Sequence, residues 1–271
     1  VLLAETLVPA NILQRLERAL RDALTEHARE RRGRLADLAA DEGLHAGLAY
    51  LRALVLSPDT RHARGNPYLR LVNELPASVG VAESDAHAFL RAMRPVLVTA
   101  FAYGVPSDAV LDRIVAGAGD GTILELGAGG GYWARCLRDR GATIMAFDRV
   151  LPLEQVRPGG RLCQHHPVAV GGPAEALGAA PDADTLLLCW PPGVSNREQA
   201  DAGAAPIFSP MGMEALDRFR GPHLVFVGDR VRSFGSPAFF ARLDREWVLE
   251  ERLPLPNLGT WTDAASFYRR A

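Results

Sequence analysis

The densest chemical signal in the chain is Ile123-Leu124-Glu125-Leu126-Gly127-Ala128-Gly129-Gly130-Gly131-Tyr132-Trp133. An apolar run carrying one carboxylate passes into a glycine-rich turn and leaves it as a helix. Glycines in such a turn permit dihedrals closed to other residues and let a ligand approach the backbone. Asp148 lies about twenty residues beyond Gly127, at the end of the apolar run Thr143–Phe147. A carboxylate at the tip of a second strand accepts hydrogen bonds from the ribose hydroxyls of an adenosine, and its charge adds grip and orientation. Ending a strand with Asp is also a turn signal, and nicotinamide enzymes use the same device.

A nicotinamide fingerprint, G-x-G-x-x-G, seats a pyrophosphate at a helix N-terminus. Counted from Gly127, its third glycine would fall on Tyr132. The turn matches G-x-G-x-G instead, with acidic Glu125 before it. In this the sequence resembles the class I S-adenosylmethionine-dependent methyltransferases, whose first motif Glu125, Gly127, Gly129 and Gly131 match position by position. The resemblance extends from about Leu111 to the C-terminus. It implies S-adenosyl-L-methionine as cofactor, with the turn under its methionine part and Glu125 orienting its ammonium end. It implies further contacts from Ala128, from Asp148 and Arg149, from Gly172, and from Cys189 and Trp190. Gly172 departs from the pattern, because many members carry there an Asp that reads the adenine amino group.

Leu186-Leu187-Leu188-Cys189-Trp190-Pro191-Pro192 stands where the family has its acceptor-side motif. Relatives that methylate nucleic-acid bases carry Asp or Asn before the two prolines and an aromatic after them. Here Trp190 and Gly193 hold those places, so base methylation loses its warrant. Trp190 offers a flat apolar wall and has no proton acceptor. Methyl transfer from a sulfonium is an in-line displacement that needs alignment, a desolvated pocket and a deprotonated acceptor. The candidate bases are His165 and His166, since an unperturbed imidazole titrates near neutrality. Tyr103, close in sequence to the cofactor strand, is a third candidate at the reacting end. Tyr68 and Arg230 are further pocket candidates, Arg230 for an acidic substrate. These features favour a small molecule, natural product or peptide as acceptor, with oxygen slightly preferred over nitrogen.

The elements that position these residues change character along the chain. Residues 1–106 read as a helical region, a substrate lid or a dimerisation surface. Its helical runs are Pro9–Arg34, Leu35–Leu56 and Ser84–Ala102, with Pro95 a kink or a start point. Thr60–Pro67 reads as a polar turn. Ser107 caps a helix that Gly117 and Gly119 end. From there to residue 271, short apolar runs alternate with helices. The strands fall at Thr122–Leu126, Thr143–Phe147, Val168–Val170, Thr185–Cys189, Leu224–Val227, Trp247–Leu253 and Ala264–Tyr268. The central runs are continuous rather than alternating, as for strands covered on both faces. The expected fold is therefore α/β, a doubly wound Rossmann-like methyltransferase sheet of seven strands with the last antiparallel. Ser195–Pro206 reads as the least ordered piece.

Composition narrows the chemistry. The chain has 271 residues, a formal charge of -2 and no lysine. A lysine base, a Schiff base and a Walker-type lysine are thereby excluded, and so is the Tyr-x-x-x-Lys pair of many dehydrogenases. All-arginine usage with abundant Ala, Gly and Pro suggests a GC-rich, bacterial source. The near-neutral balance argues against a nucleic-acid partner. Cys136, Cys163 and Cys189 form no C-x-x-C pair, so neither a disulfide framework nor a metal site is expected. With no signal peptide and no long apolar run read in the sequence, the expected location is the cytoplasm. Two other readings stay open: an NAD(P)-dependent oxidoreductase, and a methyltransferase-like partner protein without catalysis.

Overall fold

The computed structural model describes residues 10–31, 45–47, 49, 66–149, 164–191, 209–230, 235–258 and 262–271. Most of the run Leu35–Leu56 lies outside them, as do Thr60–Gly65, Cys163, Pro192, Gly193 and Ser195–Pro206. The described residues form two compact units. The first comprises those up to Ser107 with Gln164, His165 and Pro256–Leu258, and the second the remainder.

In the first unit, α1 (Ala10–Arg31) buries Leu16, Leu20, Ala23 and Leu24 at helical spacing. It packs on α3 (Glu83–Ala100). Pro95 lies inside α3 and does not start it; the helix begins twelve residues earlier, at Glu83. Between them lies α2 (Pro67–Ser78), in a stretch for which the sequence reading placed no helix. Its start is nevertheless written in Asn66-Pro67. The Asn66 side chain accepts the Leu69 N–H at 3.1 Å, and Pro67 supplies a preset φ at a position that needs no donor. Asn66 also donates through Nδ2 to the Pro106 carbonyl.

The second unit opens with α4 (Asp108–Ala118). Then follow β1 (Thr122–Leu126), α5 (Tyr132–Arg138), β2 (Thr143–Asp148), β3 (Ala169–Val170) and α6 (Pro173–Ala179). The remainder is β4 (Thr185–Cys189), α7 (Met211–Arg218), β5 (His223–Gly228), α8 (Pro237–Glu246), β6 (Trp247–Pro254) and β7 (Ala264–Arg270). They form one seven-stranded sheet in the order β3-β2-β1-β4-β5-β7-β6. The first five strands in that order run parallel. The last strand in sequence, β7, is antiparallel to both neighbours.

Side-chain alternation divides β1 between two faces. Leu124 and Leu126 join Leu186, Leu188, Leu224 and Phe226 in the core under α6, α7 and α8. Glu125, between them in sequence, faces the opposite side, toward α5. The sheet reverses outward from β1 and β4, which pair directly although β2 and β3 intervene in sequence. Ligands of open α/β sheets bind at such a reversal, beyond the carboxyl ends of the strands.

Candidate functional site

At the carboxyl end of β1 the chain makes the expected turn. Gly127 N–H and Ala128 N–H donate to the Phe147 carbonyl of β2 at 2.9 and 3.0 Å, and Gly131 N–H donates to Ala128 at 2.8 Å. Gly129 has φ +54° and Gly131 φ +72°, both in the left-handed region that L side chains avoid. The two differ in their surroundings. A Cβ on Gly131 would lie 2.8 Å from the Cβ of His166, whereas a Cβ on Gly129 would meet nothing within 4 Å. Gly131 thus serves packing, and Gly129 borders open space.

Glu125 is 1% exposed. Its carboxyl accepts the backbone N–H of Ala134, one of the donors that the first turn of α5 cannot satisfy internally. The other oxygen, Oε2, has no hydrogen-bond partner. Burial pushes its pKa up to about 8, with the Asp148 charge adding to the shift. Asp148 ends β2 and accepts the Gly129 N–H on Oδ2 at 2.9 Å. Arg149, beside it, pairs with Glu214 of α7 at 3.2 Å. After β3, Gly172 donates its N–H to Glu175 Oε2 at 2.9 Å.

Beyond β4, Trp190 is the non-glycine residue with positive φ, +51°, among the described residues. Such a conformation for a bulky side chain is held against its preference by surrounding bonds. Trp190 N–H donates to the Val227 carbonyl at 2.8 Å, extending the ladder in which Cys189 faces Val227. Its indole Nε1–H donates to Asp263 Oδ1 at 3.1 Å. Asp263, just before β7, is buried, as is Asp229, just after β5. Asp229 accepts the Thr262 N–H at 3.2 Å and so braces the segment that carries Asp263. No sequence motif marks either aspartate, although both border buried strands at the sheet's carboxyl edge. Met211, a further site neighbour, is likewise unmarked; a Cβ on Gly127 would lie 3.3 Å from its Cε.

Asp148 is thus bonded to the glycine turn, with Glu125 just before that turn and Trp190 at the same edge of the sheet. The fold is that of the Rossmann-like methyltransferases.

The three residues named for catalysis do not share one surrounding. His165 belongs to the first unit. It is buried, with Nε2 2.8 Å from the Ala100 carbonyl and its ring stacked on Phe101 at 5.9 Å. Tyr103 is in that unit too, its ring 5.9 Å from the Arg94 guanidinium. His166 belongs to the second unit and packs against Gly131. Desolvation and the Arg138 charge hold its imidazole below the ordinary value. Of the other pocket candidates, Tyr68 is fully buried and donates to the Ala102 carbonyl at 3.1 Å. Arg230 donates to both oxygens of Asp244 at 2.8 Å and to Tyr268 Oη at 3.0 Å. Among the described residues, no group of three His, Cys, Asp or Glu could hold a metal ion, and no helix is long and apolar enough to cross a membrane.

No family model matches the sequence, and no curated protein matches it. Solved structures similar in chain course include a candidate S-adenosylmethionine-dependent methyltransferase from Streptococcus mutans. It is 11% identical with a TM-score of 0.38, over 61% of this chain and 49% of that one. The match thus spans about half the length of that protein. A protein of the NADB-Rossmann superfamily from Streptococcus agalactiae is 15% identical with a TM-score of 0.39, over 63% and 71%. The Burkholderia thailandensis 1,6-didemethyltoxoflavin-N1-methyltransferase is 14% identical with a TM-score of 0.39, over 60% and 76%. At these scores the likeness identifies neither reaction nor substrate.

Proposed function

We propose that the protein is an S-adenosylmethionine-dependent methyltransferase acting on a small molecule, natural product or peptide. The observation that carries the reading is the buried Glu125, whose Oε2 has no hydrogen-bond partner, two residues before a turn in which a Cβ on Gly129 would meet nothing within 4 Å. A buried carboxyl with one unsatisfied oxygen is costly unless a donor completes it. The ammonium of a methionine-like ligand is such a donor. Asp148, tied to the same turn, would take the ribose hydroxyls, with Ala128, Arg149, Gly172, Cys189 and Trp190 as further cofactor contacts. Bound there, the sulfonium supplies an electrophilic methyl group.

The chain's own residues would then align and dry the acceptor. Trp190, fixed through its indole by Asp263, gives a rigid wall at the edge of the sheet. His166 is the base candidate beside the turn; its lowered pKa leaves it neutral at pH 7, ready to take a proton. His165 and Tyr103, the other candidates for catalysis, belong to the helical unit, which also offers a surface for self-association. Oxygen remains the favoured acceptor atom, because carboxylates and acidic phenols need little help from a base. The oxidoreductase reading is weakened at Tyr132, which occupies the third-glycine place and is fully buried. The test is transfer of a labelled methyl group to acceptor pools, with the label located by mass spectrometry. Label on small molecules or peptides is expected; label on nucleic-acid bases would contradict the acceptor class.

A further inference from the structure

Among the described residues, one backbone N–H favours the charge of Glu125, and burial and a neighbouring anion oppose it. From α5 it receives the Ala134 N–H, while the neighbouring Arg135 guanidinium is paired with Asp139 at 3.4 Å. From β2 it faces the anion Asp148. Its register neighbours, Ala146 of β2 and Leu187 of β4, are apolar. Across the turn, His166 packs against Gly131 with its imidazole depressed toward the neutral form. An ionised carboxylate here would be a buried charge beside a like charge.

Resting on the function proposed above, we propose that Glu125 carries a proton in the ligand-free protein and releases it when the methyl donor or its demethylated product binds. The ligand's ammonium provides the cation that the described residues do not place beside Glu125. On contact the Glu125 O–H gives its proton to solvent, and the carboxylate left behind accepts from the ammonium. Burial and Asp148, which together push the group to about 8, place the exchange in the neutral range. Binding energy is then partly spent on ionising Glu125, so affinity follows pH.

The probe is S-adenosylhomocysteine, titrated calorimetrically into the full chain at pH 7 in phosphate and in Tris, two buffers of different ionisation enthalpy. The difference in heat counts protons, and about one released per ligand is expected. Affinity should rise by up to about tenfold per pH unit between pH 6 and 7.5. Glu125→Gln should bind, if at all, with no buffer dependence. Asp148→Asn gives a second readout that does not need that variant to fold. Removing the neighbouring anion makes Glu125 more acidic, so fewer protons leave at pH 7. Binding to the wild type with equal heats in both buffers would overturn the proton coupling alone. Absence of any binding would overturn the coupling together with the methyltransferase reading.

Discussion

The backbone N–H of Gly129 donates to Asp148 Oδ2 at 2.9 Å. The glycine turn after β1 and the carboxylate after β2 are therefore one hydrogen-bonded unit. Whatever Asp148 binds is held in fixed register with the open face of the turn. Asp148→Ala should weaken S-adenosylhomocysteine by about 1.5–3 kcal/mol, roughly ten- to hundredfold. Asp148→Asn, which keeps an acceptor for Gly129, should lose less. Calorimetry on both variants, with melting curves to show that the fold persists, checks the order.

Gly129 and Gly131 should separate binding from stability. Gly129→Val adds bulk where nothing lies within 4 Å, so the fold bears only the left-handed conformation, about 1–2 kcal/mol. Ligand binding should be abolished. Gly131→Ala meets His166 Cβ at 2.8 Å and should lower Tm by more than Gly129→Val does. A normal affinity for Gly129→Val would move the cradle elsewhere.

Asp263 should matter to Trp190 more than to the sheet. Asp263→Ala leaves a half-buried indole N–H without its acceptor, at a cost of about 1–3 kcal/mol. Asp263→Asn retains an oxygen at that place and should recover most of the loss. Thermal melts of the two variants, alone and combined with Trp190→Phe, give the coupling between the residues. No coupling would show that the bond does not hold the ring.

The two histidines should differ in what they contribute. His166, with a folded pKa below its unfolded value of 6.5, binds fewer protons folded than unfolded. Stability should therefore fall as pH drops through 6.5, and His166→Ala should remove that dependence. If His166 is also the base, the methyl-transfer rate at saturating methyl donor is flat above 6.5 and falls at lower pH. His165→Ala should cost stability through the lost Ala100 bond and Phe101 stack.

Much of this could be read from the chain because it was local. Ile123–Leu126 and Leu186–Leu188 are unbroken apolar runs, as strands covered on both faces must be. Glu125, Gly127 and Gly129 lie within a few residues of one another, so their turn is visible in sequence. What escaped depends on distance or on partition between units. Trp190 and Asp263 are 73 residues apart, and no local pattern links an indole to that carboxylate. His165 and His166 are adjacent, yet one stacks on Phe101 in the helical unit and the other packs on Gly131. The helix Pro67–Ser78 is hard to read from sequence because its signal is a single capping pair, Asn66-Pro67, after a polar stretch.

The residues proposed to hold the methyl donor are Glu125, Gly129 and Asp148. The most direct test of that assignment is calorimetric titration of the full chain with S-adenosylmethionine and, in parallel, with NADPH. Near-stoichiometric binding of the methyl donor, lost in Gly129→Val, is expected, with no comparable response to the nicotinamide. Tight NADPH binding with no response to S-adenosylmethionine would contradict the assignment.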